Sequence, residues 1–473
     1  MFQDLKALTA LSPLDGRYLS STIELRDYFS ESALIKYRIL VEVLYLIELV
    51  EFLNKGKFTP HLFNGVGLTK TEKNKLLDWA KNLKPRELAK VKKIEAEIHH
   101  DVKAVEYFIK VNLKRLKLTQ FSSWLHWGLT SEDVNNLAYG LMIQNVKDKI
   151  LIPLQLQLIK VLLQLVEKYS DVVMPARTHG QIAVPTTVGK ELVVFASRAE
   201  FFLEKIVSFK LGGKLNGAVG NFNAHQQIFP QKNWLSFSKK FIKKLGLEPV
   251  MITTQIKPNT RLVYFLDILR QLNNVWLDLA QDYWLYISFD YFVQKVVAKE
   301  VGSSTMPHKV NPINFENAEG NFQLANSFLM TLANKFPISR LQRDLSDSTV
   351  KRNLGMVFGY SLLGAKSLIK GLRKIQPNKS LLEKEVSCHP EMLSEGLQLI
   401  LKLWGNERAY EKIKLKTRGE KVSWEKLIEQ LSINKERKKI LKKWETKDYI
   451  GLASKLTNIE IKRIKKRLFT KVL

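Results

Sequence analysis

A single cysteine, Cys388, stands among 473 residues, so no disulfide can form within the chain and nothing in it calls for an oxidising compartment. Glycine (23) and proline (14) are sparse against a hydrophobic content of 45%, which excludes collagen-like, turn-rich and disordered chains. Acidic residues are also in deficit, 46 Asp and Glu against 75 Lys and Arg, for a net charge of +29. A clean apolar run of the ~20 residues that a membrane span needs is absent. The most apolar stretches, 37–53 and 150–166, are interrupted by Arg38, Glu42, Glu48 and Glu51 and by Gln155, Gln157 and Lys160, and read as buried helices. Residues 1–10 contain Asp4 and no basic region leading into an apolar core, so no secretory signal and a cytoplasmic location are expected. No HExxH and no cysteine cluster offers a metal site.

What is present is helical periodicity over room for two to four domains. Ser30 N-caps a helix running to Asn54, and Lys55-Gly56 stops it. Further helices are expected over 71–83 and 85–116, and Thr130-Ser131-Glu132-Asp133 reads as a capped start to a run reaching Ser170, kinked at Pro153. Comparable runs cover 185–209, 261–289, 315–335 and 346–375. No segment alternates with period two, so the expected fold is all-α, a central bundle of long helices over 120–370 between a helical domain at 1–119 and a smaller one at 371–473. The basic excess is spread along the chain and denser only toward the C-terminal end. It reads as a Lys-rich solvated surface, and nucleic acid is not an expected partner.

Four polar segments interrupt the helical pattern, where a bundle places its chemistry. They are Gly302–Pro312, rich in hydroxyls and holding His308 and Lys309; Arg177-Thr178-His179-Gly180-Gln181; Asn216–His225; and Arg340–Arg352, where cations and hydroxyls flank a helix start suited to phosphate. Three of the eight histidines, His179, His225 and His308, fall in these segments and His99-His100 precede Asp101, a placement that favours acid/base chemistry over metal binding.

The Gly302–Pro312 loop resembles the signature of the fumarase/aspartase superfamily. Within it the chain is most similar to the adenylosuccinate lyase family of the bacterial type, through Met306–Lys309, Ser12–Tyr18, His100–Phe108, Thr130–Asp133, Arg177–Gln181 and Asp344–Thr349 in the same order. The likeness covers residues 11–355 and thins beyond. It implies the three-domain fumarase/aspartase-like fold, and a homotetramer with each active site built from three subunits. The implied reactions are β-eliminations of fumarate, from adenylosuccinate to give AMP and from succinylaminoimidazole carboxamide ribotide to give its carboxamide, both in purine nucleotide biosynthesis.

The resemblance also carries residue roles. Ser303 is implied as the base that takes the Cβ proton, His179 as the acid that protonates the leaving nitrogen, His100 as its helper, and Lys309 as a stabiliser of charge. A serine hydroxyl is a very weak acid, so this base requires an alkoxide stabilised by N–H groups, by Lys309 and by exclusion of water. Substrate contacts are implied for Arg17, Tyr18, His99, His100, Asp101, Thr130, Ser131, Gln255, Ser304, Lys309, Val310, Asn311, Asn317, Arg343, Ser348, Thr349 and Arg352. No cofactor is expected, because proton transfer and charge stabilisation suffice. His99 stands where relatives carry Asn, Ile182 replaces a usual Pro, and Lys257–Thr260 departs from a more acidic version of that loop. The alternatives are a sister fumarate-releasing lyase, which needs no phosphate site, and a non-catalytic basic scaffold.

Overall fold

The computed structural model describes residues 5–54, 67–296, 304–419 and 422–470. The expected stop at Lys55-Gly56 and the candidate base Ser303 lie outside the described residues. The chain divides into two compact units, Met1–Pro153 with Lys205–Gln271 and Gln323–Leu363, and Leu154–Glu204 with Leu272–Phe322 and Gly364–Leu473. Every boundary between these segments falls within a helix rather than in a linker.

In the first unit α1 (Glu31–Asn54) begins as its cap requires, with the Ala33 N–H donating to Ser30 Oγ at 3.1 Å. It is apolar nearly all round and therefore buried nearly all round, packing Ile39, Val43, Leu46 and Val50 against α2 (Lys70–Lys81), α3 (Pro85–Ile98) and α4 (Asp101–Arg115). The polar residues in its apolar run are partnered: Arg38 Nε donates to Asn135 Oδ1 at 2.8 Å, and Glu42 meets His126 Nδ1 at 2.5 Å.

The run expected over 85–116 is two helices, broken at the adjacent histidines. His99 closes α3 in the left-handed region at φ +53°, and the His100 ring caps α4, its Nδ1 accepting from the Lys103 N–H at 3.0 Å. The 346–375 run is likewise two helices, Ser346–Lys351 and Leu354–Lys374.

The long run that starts after Thr130 is α5 (Ser131–Val146), a π turn at Lys147–Leu151, and Ile152–Lys168. The wide turn lies immediately before Pro153, whose ring cannot donate into an α ladder, and it is how the expected kink is made. An apolar stretch within Ser131–Lys168 is long enough to cross a membrane, but more than half of it is buried inside the protein, and the first turn of the run carries the acids Glu132 and Asp133, buried and paired with cations.

Helices dominate, as expected, but three two-stranded sheets accompany them among the described residues. The largest lies in the second unit, where β1 (Val173–Thr178) pairs antiparallel with β2 (Gln181–Thr187) ahead of the helix Val188–Ser208. The helix expected from Pro185 thus starts three residues later. Pro175 and Pro185 sit opposite each other, and each removes a donor that a wider sheet would use, so the pattern hides a ribbon that needs only one partner. The second unit also holds an antiparallel pair, Phe292–Gln294 with Ile375–Pro377, and a C-terminal core of Leu397, Leu401, Ile413, Trp424, Leu427 and Leu441.

Candidate active site

In the first unit two motif segments far apart in sequence share one cavity of about 380 Å³. Ser12, Leu14 and Asp15 line one part of it, and Arg352, Asn353 and Gly355 another. Arg352 donates to Glu31 at 2.9 Å and to Asp101 Oδ2 at 3.4 Å, while Arg38 reaches the same oxygen at 2.7 Å. Burial opposes the Asp101 charge, but Arg38, the Val102 N–H and Arg352 together hold its carboxyl below the ordinary range. Arg17 is exposed, with its guanidinium 5.9 Å from the centroid of the half-buried Tyr18 ring.

His99 and His100 are exposed beside Asp101. Because His100 Nδ1 is an acceptor, the neutral ring carries its proton on Nε2, the nitrogen left to face a partner. The first unit holds His100 and the second holds His179.

A second cluster gathers around Arg343. Its guanidinium reaches Gln255 Oε1 at 3.3 Å, Ser348 Oγ at 3.2 Å and Glu132 at 3.5 Å, so three segments of the sequence converge on one cation. Thr349 lies exposed on the same short helix, and Ser131 follows Thr130, whose N–H donates to Asp133 Oδ2 at 3.0 Å. Asp133 also accepts from the N–H groups of Asn216 and Gly217, each at 3.1 Å, and pairs with Lys214. Lys214 in turn donates to the Gln255 carbonyl at 2.7 Å, and this buried scaffold places the Gln255 loop.

Sequence reading missed the charges beneath this cluster. Lys351 is buried between Glu132 and Asp347, and Lys257 lies close by with Nζ 3.3 Å from Asn259 Oδ1. No local pattern signals such a cluster, because its charges stand in polar segments and its members are up to 219 positions apart. Burial above all, with Lys351 and Arg261 outweighing Glu132 and Asp347, pushes the Lys257 ammonium down to about 8. Lysine in an unfolded chain titrates near about 10.4. Between those values the unfolded state binds the proton more tightly, so this group makes stability rise with pH. Lys257→Met is therefore expected to raise the melting temperature at neutral pH, with the gain over the parent shrinking as pH rises from 8 toward 10. Melting curves across that range check it, and a pH-independent gain would contradict it.

The histidine of the third polar segment is not poised for proton transfer. His225 is 3% exposed, enclosed by Trp127, Trp234 and Phe222, with Gly128 leaving room for its ring. Burial pushes its imidazole down to about 4, so it packs as a neutral ring. Its placement in a polar segment pointed to acid/base chemistry, and packing decides otherwise.

In the second unit His179 occupies the tip of the β1–β2 hairpin, exposed, in a two-residue turn with Gly180. Both have positive φ, +53° and +76°, the pattern of a type I′ turn. Ser304, Lys309 and Val310 are exposed on the segment leading into the helix Ile313–Lys335, anchored where Gln294 Nε2 donates to the Val310 carbonyl at 3.0 Å. Asn311 is half-buried on the same segment. Asn317 Oδ1 accepts from Ser367 at 2.6 Å and from Asn321 at 3.1 Å. Among the described residues no group of acids, histidines and cysteines could hold a metal ion.

Comparison with known proteins places this arrangement. A family model described as lyase matches residues 17–324, and one described as adenylosuccinate lyase C-terminal matches 339–450, the segment that opens just before Arg343. The adenylosuccinate lyase of Legionella pneumophila (strain Corby) is 43% identical over 96% of this chain and 98% of its own. The chain belongs to the adenylosuccinate lyase family. That of Buchnera aphidicola subsp. Schizaphis graminum is 42% identical over 97% of this chain and 100% of its own. Membership makes the chain an enzyme of the lyase class. A solved fumarate lyase from Mesorhizobium sp. BNC1 shares the fold alone, at a TM-score of 0.72 and 14% identity over 93% of this chain and 97% of that one. The helical fumarase/aspartase-like architecture expected from the sequence is thereby borne out.

Proposed function

We propose that this chain cleaves adenylosuccinate to AMP and fumarate, and the succinylated carboxamide ribotide to its carboxamide and fumarate. The observation that carries the reading is the full-length identity of more than 40% to adenylosuccinate lyases, together with the convergence of Arg343, Ser348 and Gln255. In this reading Ser303 takes the Cβ proton, electron density moves onto the adjacent carboxylate, the C–N bond breaks, and His179 protonates the departing nitrogen. Lys309, Ser304 and Asn311 supply donors to the developing negative charge. Arg17, Tyr18, Arg343, Ser348, Thr349 and Arg352 hold the nucleotide. His99, His100, Asp101, Thr130, Ser131, Val310 and Asn317 complete the substrate contacts.

Cationic forks with a hydroxyl suit a phosphate, and a sister lyase acting on argininosuccinate or malate has no use for one. Arg343→Ala is accordingly expected to weaken nucleotide affinity by about 10-fold or more, consistent with about 1.5–3 kcal/mol for a charge-assisted hydrogen bond. Isothermal titration with AMP checks this, and unchanged affinity would favour the sister enzymes. The deciding assay mixes purified protein with adenylosuccinate, follows the ultraviolet change as AMP forms, and confirms fumarate separately. Inert protein that instead binds RNA in a salt-dependent way would support the basic scaffold.

The assembly in this reading is a homotetramer whose sites are shared by three subunits. Its support is the set of large apolar side chains left exposed on long helices, among them Phe201 at 54%, Tyr264 at 51% and Met330 at 54%. Light scattering on the purified protein tests it. The three-part division 1–119, 120–370 and 371–473 and a cytoplasmic location belong to the same proposal.

A further inference from the structure

The hairpin that carries His179 holds a demanding backbone. A type I′ turn needs positive φ at both central residues, which Asn-Gly or Asp-Gly meets cheaply. Here the first position is a histidine, whose Cβ makes the left-handed region costly, by about 1–2 kcal/mol for an L-residue. Conformations of this kind persist only when their surroundings over-determine them. Gly180 meets nothing within 4 Å of where a Cβ would stand, so packing at the tip does not hold the turn.

One side chain does reach it. Arg177 donates from NH1 to the Gly180 carbonyl at 3.0 Å, clamping the last peptide of the turn. Its other donors go to one phenol, with Nε and NH2 at 3.3 and 2.8 Å from Tyr291 Oη. The guanidinium carbon lies 4.8 Å from the Phe289 ring centroid and 5.5 Å from that of Tyr291. Tyr291 is itself held, its hydroxyl donating to Glu385 Oε2 at 3.4 Å and its carbonyl accepting from the Asn378 N–H at 2.8 Å. The strand register shifts between Pro175 and Arg177, an irregularity that re-aims the side chain of Arg177, which pairs with Ile182. Among the described residues no carboxylate pairs with Arg177, so its fork is spent on the turn and on two aromatic faces.

We infer that Arg177, held by Tyr291 and Phe289, is a positioning residue that fixes the His179 turn in the geometry needed for proton delivery. The inference rests on the reading of His179 as the acid. Arg177 touches neither substrate nor reacting atoms in this role. Its loss should lower turnover without weakening binding, since misplacement by about 1 Å can cost roughly 100-fold in rate.

The test measures kcat and KM for adenylosuccinate in the full-length protein. Arg177→Ala is expected to lower kcat by about 30- to 100-fold with KM within about twofold of the parent. Added guanidinium ion should restore part of the loss. Arg177→Lys keeps the charge but not the fork and should remain impaired, and Tyr291→Phe, which keeps the ring, should lower kcat several-fold. Adding Arg177→Ala to His179→Gln should cost nothing further, because both changes act on one proton transfer. Near-normal kcat in Arg177→Ala with His179→Gln inactive would overturn the inference alone. So would a raised KM at unchanged kcat, or losses that multiply in the double variant. Near-normal turnover in His179→Gln would overturn the acid assignment and the inference with it. If Arg177→Ala does not fold, Tyr291→Phe and Arg177→Lys decide, and normal kcat in both would overturn the inference.

Discussion

Ser303→Ala is expected to abolish most turnover while leaving substrate binding intact. General bases contribute about 10²–10⁴ in rate, and a serine base is acutely sensitive because no other atom at that position can carry the alkoxide. The segment just beyond it holds Ser304 and Lys309 exposed, so two of the groups proposed to stabilise the charge are accessible to a ligand. Binding should survive, since affinity is assigned to Arg343, Arg352 and their neighbours. Single-turnover kinetics with calorimetry separate the two quantities, and turnover within a few-fold of the parent would mean that another group is the base.

The second large effect falls on stability. Lys351→Met leaves Glu132 and Asp347, exposed by 1% and 2%, without their shared cation, and with only Arg343, 3.5 Å from Glu132, and the reluctant ammonium of Lys257 as positive neighbours among the described residues. Removing one partner of a buried ion pair costs about 3–5 kcal/mol, because the partner left behind keeps its desolvation penalty. Neutralising the acids as well, with Glu132→Gln and Asp347→Asn, should restore much of the loss, since the penalty belongs to unpaired charge rather than to lost attraction. Arg352→Ala serves as the comparison: its side chain is 45% exposed beside Glu31, and its loss should change stability by at most about 1 kcal/mol. Denaturant titration checks all three, and a Lys351→Met deficit no larger than that of Arg352→Ala would show that the cluster is solvated.

The same cluster joins the Gln255 loop to Arg343, the two elements proposed to meet the nucleotide. Arg343 donates to Gln255 and Ser348, Lys214 grips the Gln255 carbonyl, and Lys351 ties the helix of Ser348 to the acidic first turn of α5. Each contact joins segments more than 40 positions apart, except that between Arg343 and Ser348. A charged core of this kind favours one arrangement over slipped alternatives, at a cost in stability that Lys257 makes measurable.

Taken by itself, the sequence determined whatever depends on neighbours along the chain. Helical periodicity, the Ser30 cap, the start after Thr130 and the disturbance around Pro153 all follow from contacts within a few residues, and each is found. The residues proposed for acid/base chemistry were nominated by their place in polar breaks and by the family resemblance, and polar placement alone did not separate His179 from His225. Tertiary structure decided what depends on distant partners. The ribbon around His179 forms because each strand needs only the other, which no local period announces. His225 became a packing residue because Trp127, from almost a hundred residues earlier, and Trp234 close over it together with the neighbouring Phe222, and Lys257 became a depressed amine because the fold buries it beside other cations. Arg177 stood in a recognised motif, but its task emerged only when folding brought Phe289 and Tyr291, more than a hundred residues later, against its guanidinium. The physical reason is common to all: local propensity acts over a turn of backbone, whereas burial and ion pairing are set by whichever surfaces the fold brings together.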